Sequence, residues 1–241
     1  MKSRESENEL RIGKYRNDSS AQSVINQFNN ILEAPHNEML LEIDDNFNLP
    51  LIFVFGLPRS GTTLLTQLIS NCLDVSSINN LIARFWKCPI YGINLYNELY
   101  KNLDIENNSK YESRHGKTIG INQPNEFSYF WHEHFQITNY FDFPNEKELL
   151  KKVNWNKLKK IFNNMVRKFE KPIVFKGIWP AYLLDHFLER IPNSLFIYID
   201  RDSIDNAISL YNARLKYYGD PNIWWSTIPP EFNNIKEKNW D

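Results

Sequence analysis

The stretch LPLIFVFGLPRSGTTLLTQLISNCL, residues 49–73, decides how the rest of the chain is organised. Residues 51–55 form a continuous apolar run with β-branched and aromatic side chains, ended by Gly56 and Pro58, which reads as a short buried strand. After the turn Pro58-Arg59-Ser60-Gly61-Thr62-Thr63, apolar residues return at Leu64, Leu65, Leu68, Ile69, Cys72 and Leu73, the spacing of a single helix face. The order is strand, loop, helix. A loop opening onto the first turn of a helix points unpaired backbone N–H groups at one spot, where the helix dipole also favours negative charge. The spacing Gly56-x4-Gly61 matches the frame of a nucleotide-binding P-loop, but Thr62 stands where an NTPase has Lys. Arg59 places in the loop a planar cation able to take two oxygens of a phosphate or sulfate.

On these residues PRSGTT resembles the 5′-phosphosulfate loop of sulfotransferases that use 3′-phosphoadenosine 5′-phosphosulfate. Two further segments extend the resemblance. In IYIDRDSIDNAISLY, Arg201 and Ser209 are similar to the arginine and serine, eight residues apart, that hold the donor's 3′-phosphate in that family. KGIWPAYLL is similar to the family's Lys-Thr-His-Leu-Pro segment, with Lys176 at the catalytic lysine, Pro180 at the proline and Ile178 where a general-base histidine would fall. Ile178 cannot move a proton. The family often has a catalytic carboxylate shortly after the central helix as well; this chain has Asn79 and Asn80, which cannot serve as a base.

The remaining elements fit an α/β domain. Residues 1–48 read as a helical N-terminal extension: capping residues at 17–20 precede Val24, Ile25, Phe28, Ile31 and Leu32 on one face, and Ala34-Pro35 stops the run. Residues 74–78 read as a second short strand. Residues 81–145 are aromatic and irregular, the character of a binding element or lid, and we assign them to the acceptor side. From Lys147 to Phe169 helical spacing returns until Pro172; residues 173–175 read as a strand, 181–190 as a helix, and 195–199 as a strand before a helix with Ile204, Ile208, Tyr211 and Leu215 inward. Strands alternating with helices predict a three-layer α/β/α fold of P-loop type around a central parallel sheet, one domain over 1–241, with ligands at the carboxyl ends of the strands. Arg59, Lys176 and Arg201 each follow a strand.

Bulk composition narrows the partners. With 28 basic against 29 acidic residues the chain has no nucleic-acid footprint. Two cysteines, Cys72 and Cys88, suggest packing thiols rather than a disulfide framework or metal cluster. The first residues lack an apolar secretion signal and no apolar run reaches membrane-spanning length, so the expectation is a cytoplasmic protein. His132 and His134 in His-x-Glu-x-His have no third ligand at metal-site spacing, so no metal is expected.

The resemblance implies in-line transfer of a sulfuryl group from 3′-phosphoadenosine 5′-phosphosulfate to a hydroxyl or amine of a small-molecule, carbohydrate or lipid acceptor, without magnesium. It assigns Ser60, Gly61, Thr62 and Thr63 with Arg59 to the 5′-phosphate, Arg201 and Ser209 to the 3′-phosphate, and Lys176 and Arg59 to the charge that develops in transfer. Glu126, in Pro-Asn-Glu-Phe, is the first choice of base and His115 the second. Family members commonly continue further after the 3′-phosphate motif, which leaves a shortened nucleotide pocket as an expectation here. Two alternatives stand beside this reading: a P-loop small-metabolite kinase, against which Thr62 argues, and a catalytically silent nucleotide-binding relative, which Asn79, Asn80 and Ile178 favour. The oligomeric state is not read from the sequence.

Overall fold

The structure, a computed structural model, describes residues 8–42, 48–103, 111, 113–114, 117–137 and 146–226. Four parallel strands, β1 (Leu51–Gly56), β2 (Ser76–Ser77), β5 (Ile173–Lys176) and β6 (Ser194–Ile199), lie in the order β2-β5-β1-β6. A separate antiparallel pair is formed by β3 (Ser113–Arg114) and β4 (Lys117–Thr118). The helices are α1 (Ser19–Leu41), α2 (Thr62–Cys72), α3 (Pro89–Leu103), α4 (Ser128–His134), α5 (Glu146–Lys152), α6 (Trp155–Phe169), α7 (Leu184–Arg190) and α8 (Ser203–Tyr218). The fold is mixed α/β around a central all-parallel sheet, as the alternation of strands and helices predicts.

Strand register gathers the chemistry at one edge of the sheet. Val54 pairs with Lys176 and Gly56 with Ile199, so the segments that follow β1, β5 and β6 emerge side by side. Phe53 lies in register with both Phe175 and Phe196 and stacks on them at 5.2 and 4.9 Å. Phe162 of α6 and Phe187 of α7 meet the same ring edge-on. Such aromatic pairs add about 0.5–1.5 kcal/mol each beyond the area they bury. An aromatic cluster centred on Phe53 thus packs the sheet beneath the site.

Several helices bury a different face from the one their apolar spacing suggests. α1 runs through Pro35 to Leu41, and its Val24, Phe28 and Ile31 are exposed. It docks in part by buried Asn29, whose Nδ2 donates to the Arg84 carbonyl at 2.7 Å and whose Oδ1 accepts from the Lys87 amide at 2.9 Å. These two backbone partners made by one amide stand beside the apolar contacts of Ile25, Met39 and Leu40 with the core. α2 buries Thr63, Thr66 and Gln67 while Leu64, Leu68 and Cys72 face outward, so Cys72 is not a packing thiol, whereas Cys88 is buried. α8 likewise buries Asn206, Ala213, Tyr217 and Tyr218 and exposes Ile204, Ile208 and Tyr211. Of the aromatic residues at 127–135, Phe127, Phe130, Trp131 and Phe135 belong to the buried hydrophobic core.

Three element boundaries also shift. The second strand is only Ser76–Ser77, the helical run from Lys147 divides into α5 and α6 at Val153-Asn154, and the helix expected over 181–190 begins as a 3-10 turn, Trp179–Leu183. Asn154 caps α6 by accepting from the Lys157 amide, which explains the break. Among the described residues no helix is long and apolar enough to cross a membrane, and no group of three or more metal-ligating side chains occurs.

Candidate active site

The loop between β1 and α2 is shaped by two backbone requirements. A Cβ at Gly56 would stand 2.6 Å from Ser60 Oγ and 2.7 Å from the Ile199 carbonyl, so only glycine lets the strand end this close to both. Gly61 takes φ +105 as the residue before α2, and no side chain caps that helix terminus. The first-turn amides, which have no carbonyl partners within the helix, thus open toward the loop. The Ser60 hydroxyl is buried with no hydrogen-bond partner among the described residues. A buried orphan hydroxyl beside an uncapped helix start suits an anion's oxygens. Thr62 lines the same cleft, while Thr63 is buried and the Thr62 carbonyl is taken by Thr66 Oγ1.

The loop is held open from the β6–α8 side. Arg59 has φ +75, a costly conformation for a side chain with a Cβ. Arg201 Nη1 donates to the Arg59 carbonyl at 2.8 Å, and Asn206 Nδ2 donates to the Pro58 carbonyl at 3.0 Å. Arg59 Nε in turn donates to Ser209 Oγ at 3.1 Å. Three bonds thereby join residues more than 140 positions apart, and they bring Arg59, Arg201 and Ser209 to one place. Burial, with the nearby charge of Arg201 and against that of Tyr217, holds the Arg59 guanidinium below its ordinary pKa. Trp225 stands over Arg59 at 6.0 Å.

Beside this cradle, Lys176 ends β5 and is buried, and its Nζ lies 2.8 Å from Glu126 Oε1. Gly177 takes φ +149, and a Cβ there would approach the Glu126 carbonyl to 3.2 Å. Glu126 is positioned by amides. Asn125 Nδ2 donates to Asn80 Oδ1 at 2.7 Å, Asn125 Oδ1 accepts from the Phe127 amide, and Asn80 Nδ2 reaches the Thr118 and Gly120 carbonyls. Asn79 Oδ1 accepts from the amides of Leu81 and Ile82. Asn80, which lacks acid-base capacity, thus helps fix through Asn125 the segment that brings a carboxylate to the lysine, while Asn79 caps the turn that follows it. Ile178 lines the cleft without titratable chemistry, and His115 lies outside the described residues.

Glu126, Gly177, Pro58 and Thr62 line one open cleft. Of the residues singled out in the sequence, the structure brings Arg59, Arg201 and Ser209 together in one group and Lys176 and Glu126 in another. Sequence reasoning missed Asn206, Asn80, Asn125 and Gly177. Asn206 lies between Arg201 and Ser209 near the start of α8, and no apolar spacing marks it as buried.

Residues 50–227 match a family described as the sulfotransferase family. Among solved structures, sulfotransferase STF1 from Mycobacterium tuberculosis H37Rv is similar at 14% identity and a TM-score of 0.48, over 78% of this chain. The chain spans 56% of that protein's length. No curated protein sequence matches.

Proposed function

Because the chain belongs to the sulfotransferase family, we propose that it transfers a sulfuryl group from 3′-phosphoadenosine 5′-phosphosulfate to a hydroxyl or amine of a small-molecule, carbohydrate or lipid acceptor. The observation that carries this reading is the closure of β6 and α8 onto the loop, which sets Arg59, Arg201 and Ser209 within one hydrogen-bonded group beside an uncapped helix start. A donor with phosphates at both the 5′ and 3′ positions needs two anion sites that near each other. ATP has no 3′-phosphate for Ser209 and Arg201 to recognise.

The donor supplies the sulfuryl group and the phosphate that leaves with it. Ser60, the first-turn amides of α2 and the Thr62 hydroxyl hold the 5′-phosphate. Arg201 and Ser209 hold the 3′-phosphate. Glu126 accepts the acceptor's proton as the acceptor oxygen bonds to sulfur. Lys176 and Arg59 take up the negative charge that appears on the bridging oxygen when its bond to sulfur breaks, leaving adenosine 3′,5′-bisphosphate. Fixed cations at a developing charge are the largest usual contribution to such transfers.

Calorimetry with adenosine 3′,5′-bisphosphate, adenosine 5′-monophosphate and ATP tests this, on the wild type and Arg201→Ala. Preference for the bisphosphate that disappears in the variant is the expected result. Equal affinity for all three nucleotides in a folded protein rules the donor site out.

A further inference from the structure

Phe127 takes φ +54, in the left-handed region that costs a residue with a Cβ free energy. Two contacts hold it there. The Asn125 Oδ1 accepts from the Phe127 amide at 2.8 Å, and the Phe127 ring, 1% exposed, stacks on Phe130 with centroids 4.4 Å apart. With this residue locked into the core, both of its chain neighbours, Glu126 and Ser128, line the cleft. Asn125 also bonds Asn80, so the segment that presents the two side chains is fixed from behind.

The polar side chains of the cleft divide into two groups. Thr62 belongs to the donor loop, and Ser226 follows Trp225, which stands over Arg59. Glu126 and Ser128 are the other two, and Ile178 and Trp179 line the cleft with them. Trp179 is buried and braced by the His132 ring of α4, which meets it edge-on at 4.5 Å. Glu126 already has Lys176 at 2.8 Å. The Ser128 hydroxyl, on a half-buried residue, has no hydrogen-bond partner among the described residues. A hydroxyl can donate and accept at once, so this one is suited to another hydroxyl.

Resting on the transfer reading above, we propose that Ser128 is a specificity-determining residue, whose hydroxyl binds a second hydroxyl of the acceptor beside the one that receives the sulfuryl group. The Cα atoms of residues two apart are separated by at most about 7.6 Å, so side chains 126 and 128 entering one cleft reach neighbouring groups of one small molecule. The acceptor class is then a ring with two adjacent hydroxyls, its carbon face against Ile178. One hydroxyl gives its proton to Glu126 as its oxygen bonds to sulfur and the bond from sulfur to the donor's bridging oxygen breaks. The other stays bonded to Ser128 and leaves unmodified. A lone hydroxyl forgoes that bond, which water in an open cleft replaces only in part, so the discrimination is about tenfold.

The test compares catechol with phenol and trans-1,2-cyclohexanediol with cyclohexanol, using labelled donor. The quantity read is kcat/KM for the diol over that for the single alcohol, halved because a diol offers two equivalent hydroxyls. For pairs not turned over, it is the ratio of their binding to protein loaded with adenosine 3′,5′-bisphosphate. The expected result is a corrected ratio of about tenfold in at least one pair, falling to about one in Ser128→Ala while bisphosphate affinity is kept. The pair that shows it tells a flat aromatic diol from a puckered, sugar-like one. A corrected ratio near one in both pairs, or a preference that survives Ser128→Ala, overturns the role of Ser128 and leaves the donor reading standing. A wild type that binds no bisphosphate overturns the donor reading, and this inference with it.

Discussion

Lys176 Nζ lies 2.8 Å from Glu126 Oε1 although the lysine side chain is 2% exposed and the glutamate 52%. The pair joins a buried cation to a carboxylate that solvent and an acceptor can reach. As a stabilising contact it is screened on its open side and is worth about 1 kcal/mol or less. Its value is positional. Glu126→Gln keeps the shape and removes the proton acceptor, so turnover is expected to fall by about 10²–10⁴-fold with bisphosphate affinity unchanged. Single-turnover rates and calorimetry on the same preparation separate these effects; a variant with wild-type turnover removes Glu126 as the base.

The donor cradle gives a second expectation, because Asn206 supports the loop without facing the ligand. Asn206→Ala removes the bond to the Pro58 carbonyl and leaves that carbonyl without its amide, costing about 1 kcal/mol of stability. Arg59, at φ +75, then loses part of what holds it in an unfavourable conformation. Bisphosphate affinity is expected to drop severalfold, in contrast to a substitution on the exposed face of α8 such as Ile204→Ala. Equal affinity in both variants shows that the loop holds its shape unaided.

Much of this site was legible in the chain because its parts are local. A strand, a glycine-bounded loop and a helix follow one another within residues 49–73, and Arg201 in the turn after β6 stands eight residues before Ser209 in the helix that follows. The faces of α1, α2 and α8 were not legible, since Asn29, Gln67 and Asn206 are buried by partners distant in sequence: Asn29 on Arg84 and Lys87, Gln67 on Gln123, Asn206 on Pro58. Spacing rules assume apolar burial and cannot anticipate an amide that reaches another segment's polar groups. Asn80 shows the same limit. It reads as a lost base and proves to be part of the scaffold that delivers Glu126.

Close approach gives a third expectation at Gly56. A methyl group there meets Ser60 Oγ at 2.6 Å and the Ile199 carbonyl at 2.7 Å, and the second is backbone that cannot swing away. Gly56→Ala is expected to cost about 1–3 kcal/mol and to spread β1 from β6 at the mouth of the cleft. Thermal unfolding and bisphosphate binding should fall together; a wild-type melting temperature contradicts the contact.

The last expectation concerns acid. His36 is fully buried on α1 with neither ring nitrogen hydrogen-bonded among the described residues, and burial, together with the nearby Lys157, lowers its pKa to about 4, Glu33 opposing. Burial lowers His134 on α4 to about 3, with Lys157 and His36 adding to the effect. Both imidazoles are neutral in the folded protein, whereas in the unfolded chain they titrate near about 6.5. Below that value the unfolded chain binds more protons than the folded one, so stability rises with pH across the interval. The contribution is complete above about 6.5 and is lost as pH falls toward 4, at about 1.4 kcal/mol per pH unit for each histidine. His36→Phe keeps a ring in the cavity and removes one titrating group. Denaturant unfolding between pH 4.5 and 6.5 should then show roughly half the wild-type slope; an unchanged slope means that acid acts on the fold through other groups.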